Sequence, residues 1–284
     1  MNDDHIFDDT NCLLGEGPLW HPERQEFFWF DILSHRLHRS GKHWNFDSFV
    51  SAAGWIDHDH LMVATSDALV NFNIETGASE EIIALDANNP AARPNDGRAD
   101  PYGGFWIGIM GLGAEPELGS IWRYYRGELR QLYAPVTIAN AICFSPDGLW
   151  AYFADTRDKK IMKVRLDDHG WPKGEPEIFV DLRGTEYNAD GAVIAADGAM
   201  WNAQWGAYRV AVYEPNGSFR EEHKFTAAQT SCPAFGGPDL SMLYVTSAAA
   251  GLSQDHIALH PNTGRTFCKQ TNATGQREHQ VILG

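Results

Sequence analysis

Gly103-Gly104-Phe105-Trp106-Ile107-Gly108 places a tight turn ahead of a short run that holds one large aromatic and ends on a small residue. Paired glycines suit a hairpin reversal, and the aromatic and β-branched run suits a half-buried pleated surface. The same order returns in Phe28-Trp29-Phe30-Asp31, Leu61-Met62-Val63-Ala64 and Ala151-Tyr152-Phe153-Ala154, then in Met200-Trp201-Asn202-Ala203 and Leu243-Tyr244-Val245-Thr246. Taking Trp29, Met62, Trp106, Tyr152, Trp201 and Tyr244 as anchors, the spacings are 33, 44, 46, 49 and 43 residues. Each spacing is about one propeller blade. Asp147-Gly148 and Asp197-Gly198 supply further hairpin turns just before an anchor, and helical periodicity is nearly absent. The pattern predicts an all-β fold, a six-bladed β-propeller forming one domain over residues 1–284. The repeats have diverged, so counts of five or seven blades stay open. Ring closure requires the segment before Trp20 and the segment Arg277 to Leu283 to lie in the same or neighbouring blades.

If the anchors occupy the second strand of each blade, residues 11 to 13 positions upstream fall at one mouth of the central channel. That step leads from Trp29 to Glu16 and from Trp106 to Arg93 and Asn95. From Tyr152 it leads to Asn140, and from Trp201 to Asp190. The remaining two units give Cys232-Pro233 and small residues near Ser51. Any one Asn or Asp beside glycine reads most simply as a turn residue. The offset shared by the set favours convergence on one axis. Two carboxylates (Glu16, Asp190) and one amide oxygen (Asn140) form a hard donor set suited to an oxygen-preferring divalent ion. Three protein ligands leave positions for water and substrate.

The motifs Gly15-Glu16-Gly17-Pro18-Leu19-Trp20, Arg93-Pro94-Asn95-Asp96-Gly97 and Gly108-Ile109-Met110 run in order along the chain. Asn140 ahead of Phe144-Ser145-Pro146-Asp147-Gly148, then Asp190-Gly191, then Phe235-Gly236-Gly237-Pro238-Asp239 complete the series. Together they resemble the senescence-marker-protein, gluconolactonase and luciferin-regenerating-enzyme family over nearly the whole chain. The resemblance implies a six-bladed propeller that hydrolyses aldonolactones. It implies one divalent metal at Glu16, Asn140 and Asp190, with calcium, zinc, manganese, magnesium and iron all open, and lactone contacts from Arg93 and Asn95. Certain members carry a substrate-contacting Glu where this chain has Gly113, and Glu115 and Glu117 are the candidates to replace it.

The composition agrees with a folded all-β chain: 43% hydrophobic, 12% aromatic and 21% charged residues. A formal net charge of −16 without a basic run disfavours nucleic acid and anionic membrane as partners. The opening MNDDHIFDDT has neither the basic nor the apolar region of a signal peptide, and four scattered cysteines without a CxxC pair suit a reducing cytoplasm. The expected partner is a small-molecule sugar lactone, and the expected state is a monomer or small homo-oligomer. Asp57-His58-Asp59-His60 reads as a solvated turn, Asp155 as a turn cap, Cys232 as an inert thiol and Trp205 as a candidate for the rim. Gly111-x-Gly113 is followed by Pro116 and no helix, so it is no dinucleotide loop. GxSxG, HExxH and GxxxxGK[ST] are absent, which sets aside a serine hydrolase, a zincin and a P-loop nucleotidase.

The predicted chemistry is metal-dependent opening of a sugar lactone ring to the aldonic acid. Asp190 would serve as both ligand and general base, with Arg93 and Asn95 holding the ring. The alternatives are a non-enzymatic calcium-binding propeller and a metal-dependent esterase or phosphotriesterase built on the same site.

Overall fold

A computed structural model describes residues 5–284. Its strands form six four-stranded antiparallel sheets. The blades follow chain order, each beginning at its innermost strand: Gly15–His21, Val50–Trp55, Ala92–Ala99, Ala139–Phe144, Ala189–Ile194 and Thr230–Gly236. Every anchor lies on the second strand of its blade, as the spacing predicts. All six anchors are buried, because each faces the seam between its own blade and a neighbour. Six apolar clusters fill these seams. The last joins Trp20, Phe27 and Trp29 of blade one to Ala234 and Tyr244 of blade six, so the ring is closed by packing as well as by hydrogen bonds.

Closure follows half of the expectation. His5–Asp8 pairs with Thr266–Gln270 and becomes the outermost strand of blade six, so the N-terminal segment completes the blade made by the end of the chain. Phe7 packs edge-on against Phe27, Trp29 and Tyr244 across that seam. The segment Arg277 to Leu283 joins no blade. It lies across the channel mouth where the innermost strands end. Gln276 there donates to the carbonyls of Phe144 and Ile194, Trp55 Nε1 donates to the carbonyl of Glu278, and Ile282 N donates to Gly103 O. These groups belong to four different blades, and a strand paired to one blade could not reach them all.

Inside that plug Glu278 meets Arg98 at 2.5 Å, with side chains 7% and 10% exposed. Removing one member of a buried ion pair strands the other charge, which typically costs about 3–5 kcal/mol. Glu278→Gln should therefore lower stability by roughly that amount in urea unfolding. Joint replacement, Arg98→Met with Glu278→Leu, should recover most of the loss.

Candidate functional site

Every innermost strand breaks register with its neighbour in its first half. The shifts fall between Glu16 and Leu19, Val50 and Ala53, Pro94 and Gly97, Asn140 and Cys143, Ala189 and Ala192, and Thr230 and Pro233. A bulge inserts unpaired residues, bends the strand and re-aims a side chain. Repeated six times at one level, it turns a ring of strands into a ring of inward side chains. The bend is tight enough to need left-handed backbone at Gly17 (φ 53°), where a Cβ would strike the Ser51 carbonyl.

All five residues expected at the channel mouth line one cavity of about 340 Å³: Glu16, Arg93, Asn95, Asn140 and Asp190. Each is at most 7% exposed. Thr156 joins them on the polar floor, while Leu14, Met110, Ile138 and Trp205 form much of the wall. Trp205 thus takes the rim position expected of it.

The floor is a single hydrogen-bond relay. Arg93 Nη1 donates to Asn95 Oδ1 (2.8 Å) and to the Pro94 carbonyl. Asn95 Nδ2 donates to the Ala139 carbonyl (2.9 Å) and to Asn140 Oδ1 (2.8 Å). Asn140 Nδ2 donates to Thr156 Oγ1 (2.8 Å), which donates to the Ala189 carbonyl (2.7 Å). A guanidinium can only donate and a carbonyl can only accept, so the two ends of the relay fix both amide orientations. Asn140 must present its oxygen to the side of Asn95. Asn95 has both amide protons committed and keeps only spare capacity on Oδ1.

Glu16 and Asp190 come within hydrogen-bonding reach of each other. Burial, followed by the charge of Asp96, pushes the Glu16 carboxyl up to about 8. Burial, followed by Glu16, holds Asp190 well above the usual carboxylate range. Arg93 faces both acids, and its own burial pulls it down to about 10. Asp96 is a third buried acid, accepting from Ile142 N at 2.7 Å and raised to about 6 by desolvation. Two adjacent buried carboxylates cannot both ionise without a countercharge. Arg93 faces Glu16 and Asp190 while Arg98 acts on Asp96, so a single guanidinium serves the two adjacent acids, and a divalent cation would supply the charge they lack. Two carboxylates and an amide oxygen of fixed orientation therefore fit an oxygen-preferring divalent ion.

The chain belongs to the SMP-30/Gluconolactonase/LRE-like family. The family model matches residues 14–249. An L-arabinolactonase of Azospirillum brasilense is 34% identical over 94% of this chain and 91% of its own length. A 6-deoxy-6-sulfogluconolactonase of Pseudomonas putida is 30% identical over 94% of each chain. The crystal structure of regucalcin from Agrobacterium tumefaciens, described as a calcium-binding protein, superposes with a TM-score of 0.95 at 38% identity, covering 98% of this chain and 97% of that one.

The remaining candidates fall outside the cavity. Glu115 turns back to accept from Gly113 N at 3.0 Å, and neither it nor Glu117 lines the cavity wall. The cluster from Asp57 to His60 bonds internally and to Arg24 on the exposed turn before the Met62 strand, as expected of a solvated turn. Asp155 accepts from the backbone of Thr137, Ile138 and Arg157, as a turn cap does. Cys232 is fully enclosed beside Gly191, and burial drives its thiol well above the ordinary range. Among the described residues no helix is long and apolar enough to cross a membrane.

Thr156 is the residue that the sequence conceals, because Asp155-Thr156 reads only as a turn cap. Supporting hydrogen bonds to a metal ligand are typically worth about 10–100-fold in metal affinity or activity. Thr156→Val removes both the acceptor for Asn140 and the donor to Ala189, so divalent-ion affinity by calorimetric titration should fall by roughly that factor. Thr156→Ser keeps the hydroxyl and should stay close to the parent.

Proposed function

We propose that this chain is a lactonase, a hydrolase that opens the ester ring of a sugar lactone, with one divalent cation held by Glu16, Asn140 and Asp190. Family membership supports the reaction class, and lactonases among the relatives support the substrate class. The observation that carries the reading is the meeting of two mutually destabilised buried carboxylates with a buried, only partly paired guanidinium in one cavity. A scaffold that only bound calcium would gain nothing from a buried Arg93 competing for the same two acids.

A bound cation would polarise the lactone carbonyl and lower the pKa of an attacking water. The chain's own groups do the rest. Among the described residues Arg93 Nε and Nη2 have no protein partner, so their N–H groups are free for the oxygens of the ring. Asn95 Oδ1 retains capacity for one hydroxyl donor. Asp190, with its charge balanced, accepts the proton of the water whose oxygen bonds to the carbonyl carbon. The tetrahedral adduct then expels the ring oxygen, the C–O ester bond breaks, and Asp190 returns the proton to that oxygen. The product is an open hydroxy acid, whose anion leaves into an acidic surround.

Protein stripped with a chelator should open five- and six-carbon aldonolactones no faster than they open spontaneously. Added Mn²⁺, Ca²⁺, Zn²⁺, Mg²⁺ or Fe²⁺ should restore turnover in a pH-stat assay. Calcium binding with no hydrolysis across the panel would leave a calcium-binding propeller and overturn the proposal.

Asp190→Asn keeps an oxygen of similar reach but loses its basicity, so turnover should drop on the order of 10²- to 10⁴-fold even at saturating metal. Glu16→Gln removes a charge without removing the base and should recover more activity as metal is raised. Equal recovery of the two variants would make Asp190 a ligand only.

A further inference from the structure

The cavity is polar only at its floor. Above Glu16, Asp190 and the relay, the wall is built by Leu14, Met110, Ile138 and Trp205, and Leu33 and Leu112 carry it out to the rim. Among the described residues, no charged side chain other than Glu16, Arg93 and Asp190 lines it. The floor has little left to give. Both protons of Asn95 Nδ2 are donated to protein oxygens, and the Thr156 hydroxyl proton goes to Ala189 O. Arg93 alone keeps free N–H donors, on Nε and Nη2, since its Nη1 is bonded to Pro94 and Asn95.

A lactone seated with its carbonyl at the acids puts the hydroxyls next to that carbonyl within reach of Arg93. In that pose the far carbon of a five- or six-carbon lactone extends from the floor toward the apolar wall. Met110, 6% exposed, and Leu14, 8% exposed, are buried members of that wall. Against Leu14, Met110 and Ile138 a hydroxymethyl group exchanges water for carbon and sulfur and finds no partner on those side chains. A methyl or bare methylene loses nothing and buries apolar surface. An anionic end would additionally meet no compensating cation.

Resting on the lactonase reading, we propose that the preferred substrate is a lactone whose end away from the ester is deoxygenated, an ω-deoxy aldonolactone, in preference to its hydroxymethyl or anionic counterparts. Arg93 reads the oxygens beside the carbonyl, and Met110 with Ile138 selects against a distal hydroxyl.

The test uses matched pairs differing by one oxygen: 5-deoxy-L-arabinono-1,4-lactone against L-arabinono-1,4-lactone, and L-rhamnono-1,4-lactone against L-mannono-1,4-lactone. A 6-sulfonated hexonolactone is the anionic member. With metal-loaded protein, kcat/KM should favour the deoxy partner on the order of 10-fold in at least one pair. The sulfonated lactone should be the slowest. Met110→Gln, at nearly constant volume, and Ile138→Thr, with the loss of one methyl, each put a hydrogen-bonding group into the wall and should each narrow the ratio toward one. Equal or faster opening of the hydroxymethyl partner in both pairs overturns this inference and leaves the lactonase reading standing. A deoxy preference that neither wall variant moves also overturns it, because the wall would not be its source. If no lactone opens with any metal, both readings fall together.

Discussion

Six innermost strands share one axis, and the space between them decides what each can carry. Strands of a propeller approach most closely at the centre, so backbone meets backbone there. A Cβ on Gly17 would strike the Ser51 carbonyl of the next innermost strand, and one on Gly191 would sit 2.2 Å from Cys232 Sγ. The strands are compatible with large polar side chains only where a bulge turns them from the crowded ladder into the channel. Glu16, Arg93, Asn95, Asn140 and Asp190 all lie at or just before those bulges. The site is therefore a consequence of packing at the axis: the residues that cannot fit between strands have one direction left.

Convergence brings like charges together, and the protein relieves them only in part from within, through Arg93 and Arg98. Burial disfavours ionised carboxylates, and each acid makes its neighbour worse. The protein sets a second arginine, Arg98, near Asp96 but pairs it with Glu278 lower in the channel. At the mouth it instead supplies a neutral amide held by a relay that ends on fixed carbonyls. An amide oxygen of set orientation adds coordination without adding charge. This arrangement suits a cation that arrives from solvent and leaves the guanidinium of Arg93 for another ligand.

The sequence made much of this readable, and unevenly. A tight turn followed by a short run around one bulky residue placed the second strand of every blade, since burial on both faces favours such a run. A constant offset then reached the channel because a strand plus a tight turn has nearly constant length. Ring closure was legible only for the N-terminal segment: His5–Asp8 pairs, whereas Arg277 to Leu283 holds to four blades by scattered carbonyls that no local pattern announces. Thr156 and Asp96 were hidden for another reason. Asp155-Thr156 and Asp96-Gly97 look like turn chemistry, and a threonine or aspartate that serves a buried neighbour looks the same in sequence as one that serves a turn. Asn95 was placed correctly, yet its committed protons are a property of partners 44 and 45 residues away.

The C-terminal plug matters to the site although it touches none of it. A propeller channel open at both ends would carry water along its axis, and water would weaken every charge–charge interaction at the mouth. Here the far end is covered by Gln276, Glu278 and Ile282, with a pocket of about 20 Å³ beside Arg98 and Cys143. The floor of the cavity thus rests on buried protein. Desolvation there, with each acid's charge on the next, is what raises the acids so far, what makes a cation their natural complement, and what would let one guanidinium hold a neutral ring strongly. The same desolvation, continued up an apolar wall, would make a distal hydroxyl costly. Charge complementarity at the floor and selectivity at the wall are therefore two effects of one excluded solvent.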